Sequence, residues 1–320
     1  MRTFLVVCLV TFVAAPLIRN LMLRHGVFDI PNERSSHTVV TPRGGGLACL
    51  LGVASGFLWD SAWGKPVSVA IVTVVMAMAF VGFVDDCRSI PALPRLCSQI
   101  VAGLVIGWHE GGLAWLVPST IVVLLTVNAV NFMDGINGIT GLHLALWGVT
   151  ATFIGQSHGS DSLTIIGIVT AAATIGFLPW NFPCARLFLG DVGSYLFGTL
   201  AAVGIIAGAH SGMAAQVAAP LALYFTDVTT TLARRIARRE SITQAHRAHI
   251  YQRLIHTAGL SHGNVAVGMV IAAACITMAW LFTPPLIAVT VTCVVLVGYI
   301  TSPIWITRIA RIPTHRPREI

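Results

Sequence analysis

The sequence predicts an all-α integral membrane protein of about 11 transmembrane helices, with its active site on the cytoplasmic face. Three observations carry this reading. Hydrophobic residues make up 56% of the 320 residues and charged residues only 10%, a balance outside that of water-soluble globular chains. The mean hydropathy is +0.83. The apolar residues also fall in runs near the length of a bilayer-spanning helix, about 20 residues, rather than in the short alternating segments of a membrane barrel. Little chain remains for a separate soluble domain, so 1–320 reads as one polytopic domain whose loops carry the chemistry. A secreted disulfide scaffold, a disordered chain and a soluble nucleotide-binding domain are excluded.

In chain order, apolar runs centre near Leu9, Val53, Val74, Val101, Val123, Leu146, Ile168, Leu200, Ala219, Ile271 and Val291. The first ends in a small-residue stretch, Val13-Ala14-Ala15, like a signal-peptide cleavage site. Only Arg2 precedes it, while Arg19 and Arg24 follow, which favours a retained anchor with its amino end outside. The run over 96–108 is short for a span and fits a tilted or re-entrant segment. This topology places 19–43, 85–95, 128–138, 180–191, 232–262 and 306–320 in the cytoplasm, the carboxyl end included. Seventeen of the 19 basic residues then lie inside, with Arg2 and Lys65 outside, in agreement with the positive-inside rule. The net charge of +7 is therefore read as orientation, with no nucleic-acid partner. The outer connections, such as 59–61 and 158–161, are brief. The seven Cys occur singly with no Cys-x-x-Cys spacing, which predicts small buried hydrophobes rather than a zinc site or disulfides.

Nine of the 12 acidic residues also fall on the inner side, several at the ends of apolar runs. A carboxylate at that depth is unfavourable unless hydrated, paired or bound to a cation, which marks it as functional. Asp85 and Asp86 directly follow Val81-Gly82-Phe83-Val84; adjacent carboxylates repel, and a divalent cation or a shared proton relieves the repulsion. The blander alternative is a solvated helix end. Asn128, Asn131 and Asp134 fall at i, i+3, i+6 and share a helix face, with Gly135, Asn137 and Gly138 just beyond. Amides there can hold phosphate, ribose or base edges, although Asn and Gly also serve merely to end helices. Phe188-Leu189-Gly190-Asp191-Val192-Gly193-Ser194 opens the next run, where helix-terminal N–H groups suit phosphate, Phe188 suits a base and Asp191 suits a bridging cation. A plain N-cap accounts for Asp191 alone.

The basic cytoplasmic loop 232–262 carries His246, Arg247, His249, Tyr251 and Gln252. These read as phosphate contacts, while Arg234, Arg235, Arg238 and Arg239 upstream suit an amphipathic helix on anionic membrane lipid. A further inner loop runs from Pro31-Asn32-Glu33-Arg34-Ser35-Ser36-His37 to Pro42-Arg43-Gly44-Gly45-Gly46. Its glycines allow close backbone approach or simply turn the chain into a helix.

These five motifs, in order and along the whole chain, resemble the polyprenyl-phosphate N-acetylhexosamine-1-phosphate transferases, glycosyltransferase family 4. The first and last loops look more like the members that start O-antigen synthesis in bacteria, and the His-His-His run of the peptidoglycan members is absent. The resemblance implies a multi-pass protein of the bacterial inner membrane. Its implied reaction moves a sugar-1-phosphate from a UDP-sugar to undecaprenyl phosphate, leaving UMP, with Mg²⁺ or Mn²⁺ as cofactor. By similarity, Asp191 would ligate the metal, and Asp85 would act as base or nucleophile on the lipid phosphate with Asp86 beside it. Asn128, Asn131 and Asp134 would shape the nucleotide and phosphate pocket, while Asn137, Phe188 and Gly190 would meet uracil. His246, Arg247 and His249 would contact phosphate or sugar, and relatives imply a homodimer. Arg95 stands where relatives often carry Lys, and can still fork onto pyrophosphate; Asn137 replaces an Asp of the peptidoglycan members and adds a donor. GlcNAc, QuiNAc and FucNAc stay open as the sugar. The rival reading is a transporter or flippase, but such proteins place acids near the bilayer midplane between repeats, whereas these cluster at one end.

Overall fold

A computed structural model describes residues 1–31, 39–62, 67–240 and 248–310. Among the described residues the regular structure is helical apart from a short antiparallel pair, Phe28–Asp29 with Thr41–Pro42. The helices are α1 (Arg2–His25), α2 (Gly46–Ala62), α3 (Val69–Arg88), α4 (Ala92–Gly111), α5 (Leu113–Met133), α6 (Ile139–Ser157) and α7 (Asp161–Asn181). They continue as α8 (Gly190–His210), α9 (Ala214–Ala218), α10 (Ala222–Ala237), α11 (Ile250–His256), α12 (His262–Phe282) and α13 (Pro285–Ala310). Hydroxyls start three of them: Ser68, Ser160 and Ser261 accept N–H groups from the first turns of α3, α7 and α12. Gly26, at φ 70°, closes α1 with its N–H on the Met22 carbonyl.

Every apolar run of the sequence is helical, but among the described residues seven helices are long and apolar enough to cross a membrane: α1, α3, α5, α7, α8, α12 and α13. The others fall short for identifiable reasons. α2 has 17 residues. In α4 the polar Arg95, Gln99, His109 and Glu110 dilute the run, as His143 and three Thr do in α6. The run around Ala219 is interrupted: α9 gives way to a 3-10 turn over Ala219–Leu221, carrying Pro220, before α10 begins. The cysteines correct the expectation of burial: Cys49 is buried and Cys8 partly so, but Cys87, Cys97, Cys184, Cys275 and Cys293 are exposed. On a helix facing lipid tails an apolar side chain need not be buried in protein.

α8 is the central post. Every residue from Val192 to Ile206 is buried, packed against α3, α5, α2 and α7. Small residues let the helices approach: a Cβ on Gly198 would press on the backbone of Val127 in α5, and Gly148 and Gly167 bring α6 onto α7. One end of the bundle gathers the C-termini of α3, α5 and α7 and the N-termini of α2, α4, α6 and α8. At the opposite end Glu110 lies between His109 (3.2 Å) and His210 (3.6 Å), and His109 meets Ser68, tying α3, α4 and α8.

Candidate active site

The site is built around the first turn of α8, whose preceding residue, Leu189, offers no side-chain cap. The cap comes from another helix. Asp86, in the last turn of α3, accepts the N–H of Asp191 on Oδ1 (3.0 Å) and that of Val192 on Oδ2 (3.1 Å). A carboxylate here meets both the open N–H groups and the positive end of the helix dipole. Arg43 braces the arrangement, donating to the Asp86 carbonyl with its Nε 3.7 Å from Oδ1. Asp86, expected beside Asp85 in the chemistry, is thus occupied in holding α8.

The glycines of the motifs make this contact possible. A side chain on Gly82 would strike the Asp191 carbonyl, one on Gly46 the backbone of Gly193, and one on Gly190 the Asp86 carboxylate. Gly190 sits at φ 74°, where only glycine is unstrained. The Pro42–Gly46 strap lies along 188–189: Phe188 N–H donates to the Pro42 carbonyl (2.9 Å), Gly45 N–H to that of Phe188 (2.8 Å) and Gly46 N–H to that of Leu189 (2.7 Å).

Asp85, 4% exposed, accepts the Ile90 N–H at 2.6 Å on Oδ1 and Arg95 Nη1 at 3.0 Å on Oδ2. Asn131 donates its amide to Asp191 Oδ1 (2.6 Å) and Ser194 Oγ (2.9 Å), joining α5 to α8 at the metal-ligand candidate. Asn128 does not reach that point: its amide donates to Gln99 Oε1 on α4 (2.6 Å) and to the Leu124 carbonyl (2.8 Å). Asn137 donates to the Pro183 carbonyl at 3.1 Å, while half-buried Phe188 borders the same loop. Asp134 ends α5, and burial, followed by the charge of Asp191, pushes its carboxyl up to about 7. The charges of Asp85, Asp86 and Asp134 all act with that of Asp191, and Arg43 and Arg95 oppose them.

His249 is brought to this end as well, its Nδ1 2.8 Å from Asp227 Oδ1. His246 and Arg247, and the Asn32–His37 part of the first loop, lie outside the described residues. Three residues escaped the sequence reading of the site. Asn181 accepts the Gly138 N–H (2.8 Å) and donates to the Leu187 carbonyl (3.0 Å), fastening the loop after α5 to the loop before α8. Gln99 and Asp227 are fully buried in helices. Both are polar residues within apolar stretches, the criterion that had singled out Asp85 and Asp191.

The sequence profile of glycosyl transferase family 4 matches residues 68–209, the segment that carries Asp85 through Asp191. A decaprenyl-phosphate N-acetylglucosaminephosphotransferase of Mycobacterium tuberculosis is 30% identical over 322 residues, covering 82% of this chain and 77% of the relative. Its Mycolicibacterium smegmatis counterpart is 34% identical over 61% of this chain and 57% of its own. A Bacillus subtilis protein named "Probable undecaprenyl-phosphate N-acetylglucosaminyl 1-phosphate transferase" is 26% identical over 81% of this chain and 78% of its own. With the motifs assembled at one end of a helical membrane body and this similarity along most of its length, the chain belongs to glycosyl transferase family 4, the polyprenyl-phosphate N-acetylhexosamine-1-phosphate transferases.

Proposed function

We propose that this protein transfers an N-acetylhexosamine-1-phosphate from a UDP-sugar to undecaprenyl phosphate, forming the undecaprenyl-diphosphate sugar and UMP. The reaction takes place at the cytoplasmic face of a bacterial inner membrane, on an eleven-span body, and starts a cell-envelope polysaccharide such as O-antigen. GlcNAc is the leading sugar, in keeping with the names of the relatives. The observation that carries the reading is the convergence of Asp85, Asn131, Arg95 and Asp191 at one end of apolar helices. A polyprenyl phosphate stays in the bilayer while a UDP-sugar arrives from water, so the two meet only at such an end.

Among the described residues no three His, Cys, Asp or Glu side chains gather to hold a metal by themselves, so a divalent cation would rest on Asp191 together with substrate phosphate oxygens. Asp191 and its neighbours supply hard oxygens, the local carboxylates outnumber the two arginines, and Asn131 steadies one Asp191 oxygen. Asp191 would hold the ion, Mg²⁺ or Mn²⁺, which supplies charge neutralisation for the diphosphate. Arg95 lies against Asp85 and can exchange that carboxylate for the acceptor phosphate, bringing the phosphate to the base. Asp85 then takes the proton of the acceptor phosphate, whose oxygen displaces UMP at the sugar-bearing phosphorus. Asn137 and Phe188 border the place left for uracil, and His249 meets donor phosphates. Purified protein given undecaprenyl phosphate, Mg²⁺ and UDP-GlcNAc, UDP-GalNAc, UDP-QuiNAc or UDP-FucNAc should release UMP and form lipid product with one donor. Absence of transfer with all four, in protein that also fails to bind UDP, would sink the reading.

A further inference from the structure

Asp227, inside α10, has no exposed surface, yet its two oxygens accept donors from three helices. Oδ1 takes Thr231 Oγ1–H (3.1 Å), His249 Nδ1–H (2.8 Å) and the Ile250 N–H (3.0 Å). Oδ2 takes the Tyr251 N–H (3.2 Å) and the hydroxyl of Tyr299 on α13 (2.7 Å). A buried carboxylate persists only with such a complement of donors. The contact also fixes the histidine: Nδ1 carries the proton facing Asp227, so Nε2 is the ring atom directed elsewhere.

The arrangement continues to the site. The Tyr251 hydroxyl donates to the Phe132 carbonyl at 3.1 Å, and a side chain on Gly135 would strike that same hydroxyl. The rings of Phe132 and His249 lie 6.2 Å apart. Phe132 and Gly135 flank Asp134, and Asn131 precedes them in the last turn of α5. A continuous line of contacts therefore runs from α13 through Asp227 and α11 to the turn that holds Asn131 against Asp191.

We propose that Asp227 is a positioning residue for the transfer reaction: through His249 and Tyr251 it holds the imidazole, in one ring orientation and one tautomer, against the α5 turn that bears Asn131 and Asp134. The inference rests on the transferase reading above. The test is a double-mutant cycle on full-length protein in detergent, with UMP release as readout. Asp227→Asn lowers kcat about 100-fold, the range of one lost proton-handling or oriented group, with KM for the UDP-sugar changed less than about threefold. His249→Gln gives a similar loss, and the double variant is no slower than His249→Gln alone, because both changes remove one unit. Wild-type kcat in folded Asp227→Asn, or losses that multiply in the double variant, would overturn the proposal. Should Asp227→Asn fail to fold, Tyr299→Phe keeps the carboxylate and removes one donor: a kcat lowered about tenfold at unchanged KM supports the proposal, and full activity overturns it. Wild-type protein that is inactive with every donor and binds no UDP would instead remove the transferase reading.

Discussion

Replacing Asp86 with alanine separates holding α8 from taking part in the chemistry. The change strips the acceptor from two N–H groups, those of Asp191 and Val192. A buried donor left without a partner costs about 1–3 kcal/mol. Val192 is fully buried and Asp191 partly exposed, so the pair together loses about 2–4 kcal/mol. Arg43 adds less than about 1 kcal/mol, because its side chain is 29% exposed and can turn to water. At a few degrees per kcal/mol, the melting temperature falls by roughly 5–10 °C. Asp86→Asn keeps one acceptor oxygen and should lose about half as much. The intrinsic fluorescence of the eight Trp, followed on heating in detergent, reads this directly. The transfer rate falls too, since a displacement of about 1 Å at Asp191 costs on the order of 100-fold. Asp86→Ala melting within a degree of wild type while being inactive would refute the capping role and return Asp86 to the reaction.

Gly82→Ala drives a methyl group into the Asp191 carbonyl and should cost about 1–3 kcal/mol with a clear loss of transfer. Gly268→Ala, with nothing within 4 Å of the new carbon, should melt and turn over like wild type. Equal behaviour of the two would contradict the tight α3–α8 contact. Asp191→Asn should lower transfer strongly and raise the Mg²⁺ concentration needed for half-maximal rate; a loss of transfer with that Mg²⁺ requirement unchanged would argue that the ion is held elsewhere. Burial raises the Asp134 carboxyl to about 7, above the ordinary value of about 3.9, so the folded state binds its proton more tightly than the unfolded state. That contribution is complete below about pH 4, is lost as pH rises to about 7, and is level above. In EDTA, the stability of Asp134→Asn relative to wild type should therefore grow from pH 5 to pH 7 and then stay constant; a difference that shrinks over this range would reverse the assignment.

The residues that were legible in the sequence share one property: they are charged or amide groups in stretches otherwise apolar, where their presence needs a reason. That criterion located Asp85, Asn131, Asp134 and Asp191 without any contact information. It does not say which neighbour each meets. Asp85 and Asp86 are adjacent, yet one turns to Arg95, ten residues on, and the other to an N–H 105 residues away. Asn128 and Asn131 share a helix face, but three residues advance a helix by about 300°, leaving the side chains about 60° apart. α5 touches α4 on one side and α8 on the other, and that angle sends one amide to Gln99 and the next to Asp191. The run around Ala219 reads as one span in the sequence, whereas the structure breaks it at Pro220 between α9 and α10.

The roles of the carboxylates follow from what already satisfies each of them. Asp86 is met by two backbone N–H groups and Arg43, and Asp227 by five donors, so both carboxylates already have partners within the protein. Asp85 is balanced by one N–H and by Arg95, a partner that can swing away to an incoming phosphate. Asp191 receives a neutral amide on one oxygen and faces the charges of Asp85 and Asp86. It has fewer direct donors than Asp85, Asp86 or Asp227. Two anionic substrates would worsen that imbalance, and a divalent cation would reverse it for carboxylate and phosphates together. In the proposed reaction, this unequal pairing would leave Asp85 and Asp191 to meet the substrates while Asp86 and Asp227 hold the fold.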